Sequence, residues 1–170
     1  LRFSGLKLSN VSDSRLENIT VINTINGEHS QQVNPAGGIF FTNNCVNINC
    51  YTLNAYNNNL SGIIIHESQK IRIFGSITSN NLGSGITSKN SDQCEFYNII
   101  SFDNGFQTFL PSNPPHNPFS NVSINGENCI VNNVTTYNCS SGSGLIIGHN
   151  GATSNADYTK VDSVDSSYNG

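Results

Sequence analysis

The sequence predicts an all-β chain wound as a right-handed parallel β-helix of about six to seven coils, each of roughly 23 residues. Three observations predict it. A glycine-opened segment recurs along the chain, an apolar alternation of period two runs inside each recurrence, and an asparagine-rich turn follows it.

The recurrence comes first. Aligned at Gly5, Gly38, Gly62, Gly85, Asn121 and Gly144, the chain gives GLKL, GIFF, GIII, GITS, NVSI and GLII. The steps from Gly38 to Gly62, Gly62 to Gly85 and Asn121 to Gly144 are 24, 23 and 23 residues. That length suits one coil of three short strands and three turns. A single coil cannot bury its apolar face alone, so stacked coils must make the core together.

The alternation supplies the inner face. One residue after each opening lie Leu6, Ile39, Ile63, Ile86, Val122 and Leu145, and two further on lie Leu8, Phe41, Ile65, Ser88, Ile124 and Ile147. Period two points both columns to the same side of a strand. A second apolar pair follows as Val46 and Ile48, Ile71 and Ile73, Cys94 and Phe96, and, with a one-residue slip, Cys129 and Val131. The third strand is expected to carry Ile19 and Val21, Ile77, Ile100 and Phe102, and Val134.

The turn accounts for the composition. The chain holds 29 asparagines in 170 residues, a bias that alone suggests loops or disorder, but an asparagine recurs in the turn of successive coils, at Asn23, Asn57, Asn81, Asn104 and Asn138. Asparagine tolerates left-handed backbone and bonds to nearby backbone groups. Stacked asparagines can also bond one another between coils. The opening glycines are expected to supply the same conformational freedom.

This G-I-x-I, I-x-I, Asn-turn pattern resembles the right-handed β-helix repeats of the pectin-lyase-like superfamily, and the resemblance covers almost the whole chain. It implies a family that includes pectate lyases, polygalacturonases, alginate epimerases and phage tailspikes. A left-handed β-helix or a leucine-rich repeat fits less well, because hexapeptide periodicity and an LxxLxL signature are both missing.

Charge and cysteines narrow the function. A net charge of −4 with seven Lys and Arg excludes a nucleic-acid footprint. No apolar run approaches the roughly 18 residues of a membrane span, and no signal peptide is visible. The chain opens inside an apparent strand, which points to a mature or excised segment of a longer helix. The expected location is secreted or on a cell or virion surface. Cys45, Cys50, Cys94, Cys129 and Cys139 lack metal-type spacing and fit small buried residues, with a disulfide open to Cys94 and Cys129 on neighbouring coils. Sequons stand at Asn10, Asn18, Asn59, Asn121, Asn133 and Asn138, a glycoprotein signature that this Asn, Ser and Thr content would also produce by chance.

Two coils exceed the period by insertions at 26–37 and 105–120, both between the asparagine turn and the next opening strand. At about 4.8 Å per strand they would border a trough ~14 Å wide, suited to an extended sugar chain. Its floor would present Phe40, Thr42, Ile64 and Thr87 as substrate-binding residues, with His29 and His116 on the loops. Phe40 and Ile64 equally fit a satellite core beneath the loops.

If the chain is an enzyme, a polysaccharide lyase or a glycoside hydrolase, the catalytic candidates are His66, Glu67 and Lys89. Paired carboxylates of a standard glycosidase are not evident, since Glu67, Asp92, Glu95, Asp103 and Glu127 are scattered singly. Polygalacturonases carry adjacent aspartates and a G-H-G segment, whereas this chain has Gly148-His149-Asn150-Gly151 and no Asp-Asp pair. The Tyr-Gly-Phe-Asp-Pro-His-like segment of alginate epimerases is absent. No metal or cofactor is expected, and calcium, which pectate lyases use, has no supporting carboxylate cluster. The expected partner is a polysaccharide or other glycan. The alternative is a non-catalytic shaft or adhesin of a fibre, tailspike or filament, with end-to-end or side-by-side homo-oligomers.

Overall fold

The structure, a computed structural model, describes residues 4–24, 37–106, 120–140, 142–148 and 158–169. Both insertions lie almost wholly outside these residues. Among the described residues every regular element is a strand. In chain order these are β1 (Leu6–Ser9), β2 (Ser12–Ile22), β3 (Ile39–Thr42), β4 (Val46–Tyr56), β5 (Ile63–His66), β6 (Gln69–Phe74) and β7 (Ile77–Ser79). They continue as β8 (Ile86–Lys89), β9 (Glu95–Phe102), β10 (Val122–Asn125), β11 (Ile130–Tyr137), β12 (Leu145–Ile147) and β13 (Lys160–Ser167).

The chain alternates between two parallel sheets. The first has the order β1-β3-β5-β8-β10-β12 and the second β13-β11-β9-β6-β4-β2, with β7 pairing β4 and β9 beside it. Each strand bonds to its counterpart one turn away, so Ile63 sits between Ile39 and Ile86. This is a parallel β-helix, as the glycine-opened repeat predicts.

The first sheet buries the expected columns: Ile39, Phe41, Ile63, Ile65, Ile86, Val122 and Ile124 are all within 1% of complete burial. Full burial of one such side chain contributes about 1.5–3 kcal/mol. The second sheet departs from expectation twice. Ile48 pairs with Ile71 and Cys50 with Ile73, so the inward pair of β4 is Ile48 and Cys50, while Val46 pairs with Gln69 and is half-buried.

In the last leg, Ile77, Ile100 and Phe102 face outward, and Ile100 is 40% exposed. The inward places belong to Ser76 and Thr78 and to Ile99 and Ser101, each at most 1% exposed. Interior hydroxyls are tolerated there because they are bonded: Thr78 Oγ1 donates to Ser101 Oγ at 2.8 Å, and Ser101 Oγ donates to the Asn121 carbonyl at 2.9 Å.

Corners explain the asparagines. Among the described residues, twenty-two non-glycine positions adopt positive φ, and thirteen of them are Asn. They stack in columns, such as Asp13, Asn47, Lys70 and Gln93, and Asn23, Asn57, Asn80, Asp103 and Asn138. A left-handed conformation costs most L-residues about 1–2 kcal/mol, least for Asn, so a fold with several such corners per turn selects Asn.

The residue after the last corner points inward, and there the asparagines form a ladder. Asn58 Nδ2 donates to Asn81 Oδ1 at 2.8 Å, Asn81 Nδ2 to Asn104 Oδ1 at 2.9 Å, and Asn104 Nδ2 to Asn121 Oδ1 at 2.9 Å. Each Oδ1 of Asn81 and Asn104 also accepts the backbone N–H of the preceding rung, both at 3.1 Å. The turn column therefore splits in two: Asn57 and Asn138 sit on the exposed left-handed corner, Asn81 and Asn104 on the buried ladder.

The opening glycines serve this ladder rather than backbone freedom, since Gly38, Gly62 and Gly85 are not among the positive-φ residues. A Cβ on Gly62 would meet the Gly85 carbonyl at 2.7 Å and Asn81 Nδ2 at 2.8 Å. One rung breaks the pattern in a compensating way. Where the ladder column reaches Cys139, the opening glycine is replaced by Asn121, whose amide enters the gap and donates to the Tyr137 carbonyl at 2.9 Å and to Asn169 Oδ1 at 3.2 Å.

Candidate functional site

The C-terminal end of the first sheet brings polar residues into one outward column. The register places Ser9 beside Thr42 and His66 beside Lys89, which pairs in turn with Asn125. Neighbours in such a column are about 4.8 Å apart. The local sequence fixes the backbone here. In His66-Glu67-Ser68 and Lys89-Asn90-Ser91 the serine Oγ donates back to the carbonyl two residues earlier, at 3.0 and 2.9 Å. Ser68 N–H then donates to Ser91 Oγ at 3.2 Å, locking the two turns together.

Glu67 occupies the left-handed corner of its turn, at φ 50°, where the neighbouring turns carry Asn44 and Asn90. A glutamate in that conformation is strained, and the arrangement aims its carboxylate outward: its side chain is 55% exposed, against 17% for His66. Glu67 Oε1 stands 3.9 Å from His66 Nε2. Lys89 is exposed. The three catalytic candidates are thus neighbours on rigid strand ends, an imidazole with an anion on one side and a cation one strand away.

The intended floor is different. Phe40 and Ile64 point away from the core yet are 4% and 2% exposed, and Thr42 is 5% exposed. Side chains so covered offer no open surface to a solute. Thr87, next in the column, is half-buried. Lys7 Nζ lies 5.9 Å from the Phe40 ring centroid at the other end. His29 and His116 lie outside the described residues. Among the described residues no group of three or more His, Cys, Asp or Glu could hold a metal ion, and no helix is long and apolar enough to cross a membrane.

Sequence reasoning missed an aromatic column on the outer face of the second sheet. Tyr51, Phe74 and Tyr97 stack at 5.1 and 5.2 Å between centroids, and Phe102 stacks on Tyr137 at 4.8 Å. The recurrence of Tyr51, Phe74 and Tyr97 every 23 residues, opposite in parity to the inward column, was the available signal. Arg15 covers Tyr51 with its guanidinium 4.2 Å from the ring centroid. Beside the column Arg72 Nε donates to Glu95 Oε1 at 3.0 Å, and its Nη1 to Asn47 Oδ1 at 3.1 Å. Rings stacked face to face show solvent only their edges, so this column stiffens the outer surface and is a poor platform for a pyranose.

Comparison with protein-family models, with curated proteins and with solved structures finds no match for the chain.

Proposed function

We propose that the chain is an extracellular glycan-binding module, related to the pectin-lyase-like β-helices, that engages a polysaccharide along the outward polar column at the end of its first sheet. The observation that carries this reading is the in-register placement of His66 and Lys89, with Glu67 beside them, on strand ends held by paired serine turns. Hydrogen-bonding and charged groups at one strand spacing suit successive hydroxyl or carboxylate groups of an extended chain. If the bound glycan is cleaved, His66 is placed to take a proton, Glu67 to orient the imidazole, and Lys89 to neutralise negative charge on the substrate.

The test is affinity electrophoresis of the wild type, His66→Ala and Lys89→Ala against neutral and acidic polysaccharides, with assays for reducing ends and for unsaturated products. Retarded migration that both substitutions abolish supports the site. Binding that survives both places the glycan elsewhere.

A second reading, a non-catalytic shaft or adhesin, is favoured by the closure of the floor over Phe40 and Ile64. It predicts no retardation by any polysaccharide and concentration-dependent self-association in sedimentation.

A further inference from the structure

We propose that Cys94 and Cys129 form an intramolecular disulfide that staples two adjacent coils across the second insertion. Glu95 is the partner of Ile130, and Ile130 N–H donates to the Cys94 carbonyl at 2.9 Å, so the preceding cysteines are vertical neighbours. Both follow a left-handed corner, Gln93 at φ 55° and Asn128 at φ 54°, and therefore leave the backbone in the same sense. Both side chains are completely buried. The expected separation of such neighbours, about 4.8 Å between Cα atoms, falls within the roughly 4.4–6.8 Å that a disulfide spans.

In this structure both thiols are free, Cys94 Sγ donating to the Asp92 carbonyl at 3.5 Å and Cys129 Sγ to the Ser91 carbonyl at 3.6 Å. A hydrogen bond from Cys94 lowers the Cys129 pKa, while the same bond and burial raise that of Cys94. The other cysteines stand in other columns of the fold. Cys45 Sγ donates to the Thr42 carbonyl at 3.3 Å, Cys50 lies in the column of Ile73, and Cys139 stands at the ladder corner.

The chemistry balances with a small-molecule disulfide such as oxidised glutathione as oxidant. The thiolate of either cysteine attacks one glutathione sulfur and expels a glutathione thiolate, and the thiolate of the other then attacks the protein sulfur of the mixed disulfide and expels the second. Two protein thiols lose their protons and two electrons, and one oxidised glutathione becomes two reduced ones. Because both sulfurs are buried in the finished fold, the exchange belongs to folding, before the two coils close over the pair.

The insertion at 105–120 lies inside the loop so closed. A staple there holds the coil of Lys89 to the next one, whatever the insertion does.

The experiment refolds the reduced, full-length chain in a glutathione redox buffer, then counts thiols in denaturant and maps a non-reducing digest by mass spectrometry. Three reactive thiols of the five should remain, with one peptide pair joining Cys94 to Cys129 and lighter by two hydrogens. Cys129→Ser should leave all four of its thiols free, whereas Cys45→Ser should leave two. The oxidised wild type should melt several degrees above the same protein in reductant, a gap that the Cys94→Ser/Cys129→Ser double variant lacks. Five thiols in the refolded wild type, or a bridge joining any other pair, overturns the proposal.

Discussion

Replacing Asn81 by Ala should unfold the ladder from its middle, and the size of the loss follows from its bonds. Asn81 is completely buried. Its Oδ1 accepts the Asn58 backbone N–H at 3.1 Å and Asn58 Nδ2 at 2.8 Å, and its Nδ2 donates to Asn104 Oδ1 at 2.9 Å and to the Ala55 carbonyl at 3.1 Å. Truncation strands two buried donors on Asn58, at about 1–3 kcal/mol each. Asn104 Oδ1 keeps the Asn81 backbone N–H as a donor, so its loss is partial. The sum is on the order of 3–5 kcal/mol. Asn80→Ala is the control, one residue away on an exposed corner at φ 53°, where the left-handed backbone alone costs about 1–2 kcal/mol. Urea unfolding followed by far-ultraviolet circular dichroism measures both, with an unchanged m-value showing that the folded state remains comparable. Equal losses for the two variants would refute the claim that an interior amide column holds the coils in register.

Three further outcomes are expected. Ser88 occupies an inward place between Ile65 and Ile124, and its buried hydroxyl has no hydrogen-bond partner among the described residues, so Ser88→Ala should raise stability by about 1 kcal/mol in the same urea assay; a comparable loss would show a bonded hydroxyl. Asn121→Gly and Cys139→Asn should each destabilise alone, the first by removing the stand-in rung and the second by crowding it. Combined, they should recover at least 1 kcal/mol relative to their sum, and simple additivity in the double-mutant cycle would contradict the exchange of rungs. Desolvation holds the Cys50 thiol up at about 12 against a usual 9.0. Its contribution is therefore fully present below pH 9 and is lost as pH rises toward 12, with a slope of about 1.4 kcal/mol per pH unit. Cys50→Ala should flatten that limb of the stability profile, and an unchanged slope in alkaline urea titrations would sink the assignment.

The fold was legible because its strongest constraint is also its most repetitive. Stacking places one residue of each coil above its counterpart, so Ile39, Ile63 and Ile86 recur at the coil length and declare the first sheet. The last leg was less legible, since its interior is partly hydroxylic: Thr78 and Ser101 face inward and leave Ile77 and Ile100 outside, a reversal that apolar periodicity cannot detect. Asparagine carried two meanings that sequence alone merged, left-handed corners at Asn57 and Asn80 and interior rungs at Asn58 and Asn81. The proximity of His66, Glu67 and Lys89 follows from register and was readable. The burial of Phe40 and Ile64 was legible only as one of two alternatives, trough floor or satellite core, because outward-facing positions on a strand say nothing about what lies over them.

Cross-strand nuclear Overhauser contacts in the isotope-labelled protein test the central claim most directly. The account predicts methyl contacts from Ile63 to both Ile39 and Ile86, and amide contacts between strands of neighbouring coils in the parallel pattern. Strong Hα–Hα contacts between sequential strands, the mark of antiparallel hairpins, would contradict it.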